Sequence, residues 1–182
     1  MRDILRISLV LMLIAAVSGG ALAYAHAVTA PAIAKALEQA KQEALAQALP
    51  GAQQFQDQTK DYAAALGDPK YKSVKEVWAA LSGSDRVGTV VVVAPTGYGG
   101  PVTCLIGVGG DGKVTGVQIL AAPSETPGLG SRVKEPAFRE QFRGQSSPPL
   151  KVQAITGATI SSRAVIGGVE AALDLLRAGG GK

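Results

Sequence analysis

Residues 86–121 read RVGTVVVVAPTGYGGPVTCLIGVGGDGKVTGVQILA, and this stretch decides the fold. Arg86–Ala94 and Val102–Val108 are rich in β-branched residues and bounded by Pro and Gly, which marks two strands. Between them Pro95-Thr96-Gly97-Tyr98-Gly99-Gly100-Pro101 is a loop. Gly109-Gly110-Asp111-Gly112 is a hairpin turn leading into a third strand, Lys113–Ala121, whose alternation is imperfect. Gly107–Gly112 also satisfies G-x-G-x-x-G. A dinucleotide fingerprint must then open a helix and meet an acidic residue about 20 positions later. Here another strand follows, and Glu125 comes 13 residues after Gly112. The glycines belong to a turn. No G-x-x-x-x-G-K-[ST] occurs, so a P-loop is excluded.

Downstream, residues 122–131 form a Pro/Gly loop, Glu135–Phe142 a short helix and Leu150–Ile155 an extended piece. Ile160–Ala178 is the last helix, with Val165, Val169, Ala172, Leu173 and Leu176 on one face. Upstream, Val74, Val77, Trp78 and Leu81 recur at helical spacing and predict a short helix over Ser73–Leu81, with Trp78 as a core anchor. Residues 29–49 are rich in strong helix formers, with Thr29 placed to cap, Pro31 in the first turn and Pro50-Gly51 at the end. The fold class is α+β, an antiparallel sheet packed with helices.

Ile7–Ala25 carries no charge over 19 residues, just enough to cross a hydrocarbon core of about 30 Å. Arg2 and Arg6 precede it and the next positive residue is Lys35, so the positive-inside rule keeps the N-terminus cytoplasmic. Ala-Leu-Ala and Ala-His-Ala resemble signal-peptide cleavage sites, but the apolar run exceeds an ordinary signal core, which favours a retained anchor. The expected organisation is a membrane anchor over residues 1–28, a juxtamembrane helix over 29–51 and an exported domain over 52–182. Residues 7–25 meet the lipid bilayer. His26 then lies at the outer membrane boundary.

The chain has 182 residues, 47% apolar and 18% charged, with a net charge of +4. That composition suits a folded domain rather than disorder, and the mild, dispersed positive charge argues against nucleic acid. Lys60, Lys70, Lys72 and Lys75 read as a solvated face. One cysteine, Cys104, excludes an internal disulfide, and with a single histidine it excludes a Cys/His metal cluster built from this chain alone. Cys104 reads as a small core residue on a strand. The lone His26 removes the ordinary Ser-His-Asp machinery unless His26 itself serves, and any redox chemistry must be carried by an organic cofactor or supplied by partners. Twelve of the 23 glycines lie between Gly83 and Gly130, marking turns and close backbone approaches there.

Two short segments carry chemistry. Thr156-Gly157-Ala158-Thr159-Ile160-Ser161-Ser162 sits where the last helix begins. Its small residues let the backbone crowd a ligand, and a helix start offers unsatisfied N–H groups to an anion. An ordinary N-cap without ligand is the plainer reading of the same residues. Glu125-Thr126-Pro127-Gly128-Leu129-Gly130 is a rigid loop in which Pro127 holds Thr126 extended and Leu129 projects from a turn.

Together these segments resemble a known family. Thr156–Ser162 is similar to the [ST]-G-A-T-x-[ST] flavinylation motif of FMN-binding subunits, and Glu125–Gly130 to the E-T-P-G-L-G loop of the Rnf complex G subunit and its Nqr complex C relative. Gly97–Pro101 resembles the family's G-Y-x-G-P loop. The sequence departs from the pattern at Gln153, where the family usually has Asp, and at Pro123, where it often has His.

The resemblance implies FMN attached by a phosphoester to Thr159, installed by a flavin transferase. It places Thr156, Gly157, Ala158, Ser161 and Ser162 around the phosphate, with the two serines as hydrogen-bond donors. Leu129 would lie against the isoalloxazine face, with Glu125 and Thr126 near its polar edge and Gly128 and Gly130 shaping the loop. It further implies an electron-carrier subunit of an ion-translocating ferredoxin:NAD oxidoreductase, single-pass in the inner membrane, working with other membrane subunits on the outer face and not an autonomous enzyme. A non-redox assembly or binding subunit of the same fold, and an exported flavin-dependent reductase acting alone, are the alternatives.

Overall fold

The computed structural model describes residues 2–83 and 85–179. The ends of the expected anchor and domain spans, at Met1 and residues 180–182, lie outside them. The chain divides into two compact units, Met1–Ala40 and Lys41–Lys182. In chain order the first elements are α1 Arg2–Ala48, β1 Gln54–Asp57, α2 Ala63–Leu66, β2 Val74–Ser82 and β3 Asp85–Val93. Then come β4 Thr103–Gly109, β5 Val114–Ala121, α3 Pro136–Arg139 and α4 Thr159–Gly179.

The first unit is the helical run of α1. Ile4–Ala48 is long and apolar enough to cross a membrane, and its large apolar side chains from Ile4 to Leu37 are exposed. The expected break at residue 29 does not occur. Thr29 caps nothing; its Oγ1 donates back to the carbonyls of Ala25 at 2.8 Å and His26 at 3.3 Å, as a threonine inside a helix does. Pro31 also lies inside α1. Strong helix formers on both sides outweigh that one breaker.

In the second unit the five strands form an antiparallel meander in the order β1-β2-β3-β4-β5. The run Val90–Val93 is buried throughout because the sheet is covered on both faces. Val91, Val93, Cys104 and Ile106 point to the face packed by Val165, Val169, Ala172 and Leu173 of α4, together with Phe138 and Phe142. Val90, Val92 and Leu105 point the other way, onto Ala44, Leu45, Ala48 and Leu49 at the end of α1. This is the period-2 alternation of a strand with both sides apolar.

The folded domain therefore takes in residues 41–51, earlier than the boundary expected at 52. Gly107 permits that docking: a Cβ there would stand 2.0 Å from the Ala48 carbonyl oxygen, which accepts from Thr115 Oγ1 at 2.7 Å. Burial pushes the Cys104 thiol up from 9.0 to about 12, as befits a core residue.

The expected helix over Ser73–Leu81 is instead strand β2, paired with β3 along its length. Register shifts between Val74 and Glu76 and between Ala80 and Leu81 move the strand out of phase, so its apolar residues mimic helical spacing. Trp78 is half-buried on the α1 side, its ring under the Lys41 ammonium at 4.7 Å. Lys41 also pairs with Glu76 at 2.6 Å. β1, a polar strand with Phe55 as its one apolar contact, pairs only with β2 and carries no signal of its own in the sequence.

The G-x-G-x-x-G glycines close the β4–β5 hairpin, where Gly109 N–H donates to Lys113 O at 2.9 Å. Outer edge β5 is covered by arginines. Arg139 donates to the carbonyls of Lys134 and Val117 and to Gln118 Oε1, and Arg143 donates to the Thr115 carbonyl.

Candidate functional site

Three segments meet at the start of α4. The β3–β4 connection folds back on itself through Gly97 N–H to Gly100 O and Val102 N–H to Pro95 O, at 2.8 and 2.9 Å. The loop after β5 turns at Pro127-Gly128, with Leu129 and Ser131 N–H both donating to Thr126 O. The third segment, residues 150–158, leads into α4 with no ladder. Side chains satisfy its backbone instead: Leu150, Lys151, Gln153 and Ile155 N–H donate to Glu170, Gln145, Gln141 and Ser162. The expected extended piece is thus real but held by side chains, not by the sheet.

At Gly157 the chain takes φ +82°, then enters α4 at Thr159. Ala158 N–H reaches Ile155 O and Ser162 N–H reaches Ala158 O. The N–H groups of Thr159, Ile160 and Ser161 have no acceptor among the described residues, as expected of a first helical turn.

Between the loops and α4 lies a cavity of about 450 Å³, lined by Tyr98, Glu125, Thr126, Leu129, Gly130 and the run Gly157–Ser161. Its mouth carries three apolar side chains in water: Tyr98 is 71% exposed, Ile160 55% and Leu129 42%. Glu125 is 5% exposed. Its Oε1 accepts from Tyr98 N–H at 2.8 Å and Gly99 N–H at 3.4 Å, and its Oε2 from Ser161 Oγ at 2.5 Å. Among the described residues it is the one charged side chain in the lining.

The structure gathers most of the expected site. Thr159, Ala158, Gly157, Ser161, Glu125, Thr126, Leu129 and Gly130 share the lining, whereas Thr156, Gly128 and Ser162 do not. Thr156 and Gly128 are exposed beside it, and Ser162 is buried behind it. The two serines are not spare donors. Ser161 gives its hydroxyl hydrogen to Glu125, and Ser162 gives its own to Ala158 O at 2.9 Å. Backbone N–H groups are the donors that α4 presents. Glu125 likewise offers its oxygens to protein donors rather than to the cavity mouth. Tyr98 and Ile160 line the site without having been singled out. Tyr98 lies in the G-Y-x-G-P segment, and Ile160 is an apolar residue at a helix start where polar residues are usual. Gln153 is exposed, its backbone held by Gln141.

A family model described as the FMN-binding domain matches residues 97–174, and one described as the RnfG N-terminal region matches residues 1–48. The chain is 33% identical to the G subunit of the Na(+)-translocating ferredoxin:NAD(+) oxidoreductase complex of Acetobacterium woodii, over 94% of this chain and 91% of that one. It is 30% identical to the G subunit of the ion-translocating oxidoreductase complex of Methanosarcina acetivorans, over 97% and 96%. Among solved structures, the C subunit of the Na(+)-translocating NADH-quinone reductase of Parabacteroides distasonis aligns with a TM-score of 0.53. That likeness covers 72% of this chain and 79% of the other at 19% identity, and shows a shared fold.

Proposed function

The chain belongs to the G-subunit family of Rnf-type ion-translocating oxidoreductase complexes, and from that premise we propose that it carries FMN covalently on Thr159 and serves as an electron station of such a complex. The observation that carries the reading is the meeting of the two motif segments: Thr159, at the start of α4, shares a cavity wall with the Glu125–Gly130 loop.

The residues fit the group. The cavity is open and mostly apolar, of a size for a flat ring system, with Leu129, Ile160 and Tyr98 as its apolar surfaces. Thr159 is exposed and supplies the hydroxyl for a phosphoester. The N–H groups of Thr159, Ile160 and Ser161, unpaired among the described residues and at the positive end of α4, would hold the phosphate. Bound FMN supplies reversible electron transfer. The chain's own part is to hold it: Thr159 tethers, the first turn of α4 offsets the phosphate charge, and the apolar mouth keeps water off the ring. Electron carriage asks for no proton donor in the wall, which suits a lining without histidine or lysine.

The relatives' names imply work in a ferredoxin:NAD oxidoreductase complex that moves an ion. We place this chain there as a single-pass inner-membrane protein, with Arg2 and Arg6 on the cytoplasmic side and the folded domain on the outer side, passing electrons between neighbouring membrane subunits. A flavin transferase installs the cofactor. A covalent tether suits that side of the membrane, where lost cofactor has no cytoplasmic pool to replace it.

The test is intact mass and in-gel flavin fluorescence of the protein from its native membrane, with Thr159→Ala beside it. The expected result is a gain of one FMN less water, with fluorescence that survives denaturation and vanishes in Thr159→Ala. Unmodified wild-type chain from a host that flavinylates other targets would refute the attachment, and would turn attention to Gln153 and to a non-redox assembly role.

A further inference from the structure

We propose that Glu125 is the positioning residue of this cavity: its carboxylate holds the Tyr98 wall and the Thr159 wall at their separation, and its charge sets the field at the site. The inference rests on the reading of the cavity as an FMN site.

A carboxylate this deeply buried normally has a cation beside it, because an unpaired buried charge is costly. Among the described residues no lysine or arginine lies within ion-pair distance of Glu125. The surrounding chain is instead shaped to fit it. A Cβ on Gly97 would stand 2.1 Å from Oε1, and one on Gly130 would stand 2.1 Å from Oε2. Two bare glycines thus form a cradle that any side chain would fill.

Through that cradle Glu125 reaches in two directions. Oε1 takes the N–H groups of Tyr98 and Gly99, and Oε2 takes the Ser161 hydroxyl two residues beyond Thr159. No other hydrogen bond among the described residues joins either loop to the first turn of α4. The exposed Tyr98 ring is therefore carried on a mount anchored by the same carboxylate that anchors the attachment turn. With three protein donors on its two oxygens, Glu125 acts on bound flavin chiefly through those partners and through its charge. A fixed negative charge in a water-poor wall disfavours the addition of an electron nearby, which lowers the midpoint potential of a flavin held there.

Glu125→Gln separates geometry from charge. Its carbonyl accepts from Tyr98 N–H while its amide donates to Ser161 Oγ, whose hydrogen is free to turn away. Glu125→Ala removes both. The two variants are made in the full-length chain, with Thr159 intact and with Thr159→Ala, which carries no flavin.

In the Thr159→Ala background, Glu125→Ala is expected to speed amide exchange at residues 97–100 and 159–163 by about tenfold, while Glu125→Gln stays near the parent. With Thr159 intact, Glu125→Ala loses most of the bound flavin. Glu125→Gln restores it, with a midpoint potential shifted in the positive direction.

Unchanged exchange in Glu125→Ala overturns the positioning role, as does Glu125→Gln as poor in flavin as Glu125→Ala. An unmoved potential in Glu125→Gln overturns the field. If the wild-type chain itself carries no flavin, the FMN reading fails and the field with it, while exchange still decides whether Glu125 joins the two walls.

Discussion

Gly157 and Gly128 make a matched pair for testing how the cavity mouth is built. Both lie in the left-handed region, at φ +82° and +73°. A Cβ on Gly128 would meet nothing within 4 Å, whereas one on Gly157 would stand 2.9 Å from Leu129 Cδ1. Alanine at either position incurs the left-handed cost, about 1–2 kcal/mol. At Gly157 the leucine must also give way. Its end is exposed and able to rotate, so the added cost is about 0.5–1.5 kcal/mol for an off-rotamer side chain. Gly128→Ala should thus lose about 1–2 kcal/mol, and Gly157→Ala about 1.5–3.5 kcal/mol. Denaturant titration of the full chain in detergent measures both. Only Gly157→Ala shifts Leu129 at the mouth, so only it should lower flavin content beyond what its stability loss explains. If Gly157→Ala costs no more than Gly128→Ala, the Leu129 contact is wrong; if neither costs anything, both turns are.

Leu45→Ala and Leu49→Ala remove side chains buried between the end of α1 and Val90, Val92 and Leu105, and should each cost about 2–5 kcal/mol by denaturation. Arg139→Ala frees the Val117 carbonyl on edge strand β5; a loss of about 1–2 kcal/mol and concentration-dependent association by light scattering are expected. Cys104 should resist maleimide at pH 8 until the chain unfolds. Because its thiol is raised from 9.0 to about 12, the folded form keeps a proton that the unfolded form releases. Its contribution to stability is therefore complete below pH 9 and falls away between 9 and about 12, relative to Cys104→Ala.

What could be read in the sequence was whatever one segment determines by itself. Strands β3, β4 and β5 announced themselves because Val, Ile and Thr runs end at glycine turns, and α4 because its apolar face repeats every three to four residues. β2 was misread because bulges beside Glu76 and Leu81 break the alternation that identifies a strand. β1 is legible only through its partner. α1 runs on past Thr29, whose hydroxyl bonds back to Ala25 O; in sequence the same residue looks like a cap. For the site, the glycine- and hydroxyl-rich motifs located the cavity, but not who bonds to whom. Nothing in the order of residues says that Ser161 gives its hydrogen to Glu125, 36 positions away. That pairing withdraws both from direct duty toward a ligand and makes them part of the wall.

A cavity with no basic side chain can still suit an anionic cofactor. The proposed phosphoester on Thr159 would bring a negative charge into a wall that already holds Glu125. Coulomb repulsion alone would oppose it, and a lysine or arginine would be the ordinary remedy. Here the positive partner is the first turn of α4, whose N–H groups at Thr159, Ile160 and Ser161 have no acceptor among the described residues and stand at the positive end of the helix dipole. Such partial charges are fixed in direction by the backbone, so they would hold the phosphate without a flexible side chain at the mouth, leaving Tyr98, Leu129 and Ile160 to present an apolar surface. With the Ser161 hydroxyl committed to Glu125 and that of Ser162 to Ala158 O, the donors of that turn beside the Thr159 hydroxyl are backbone N–H groups. Among the described residues Glu125 is then the one formal charge in the lining, and the one side chain there through which the field at the site can be changed without touching the tether.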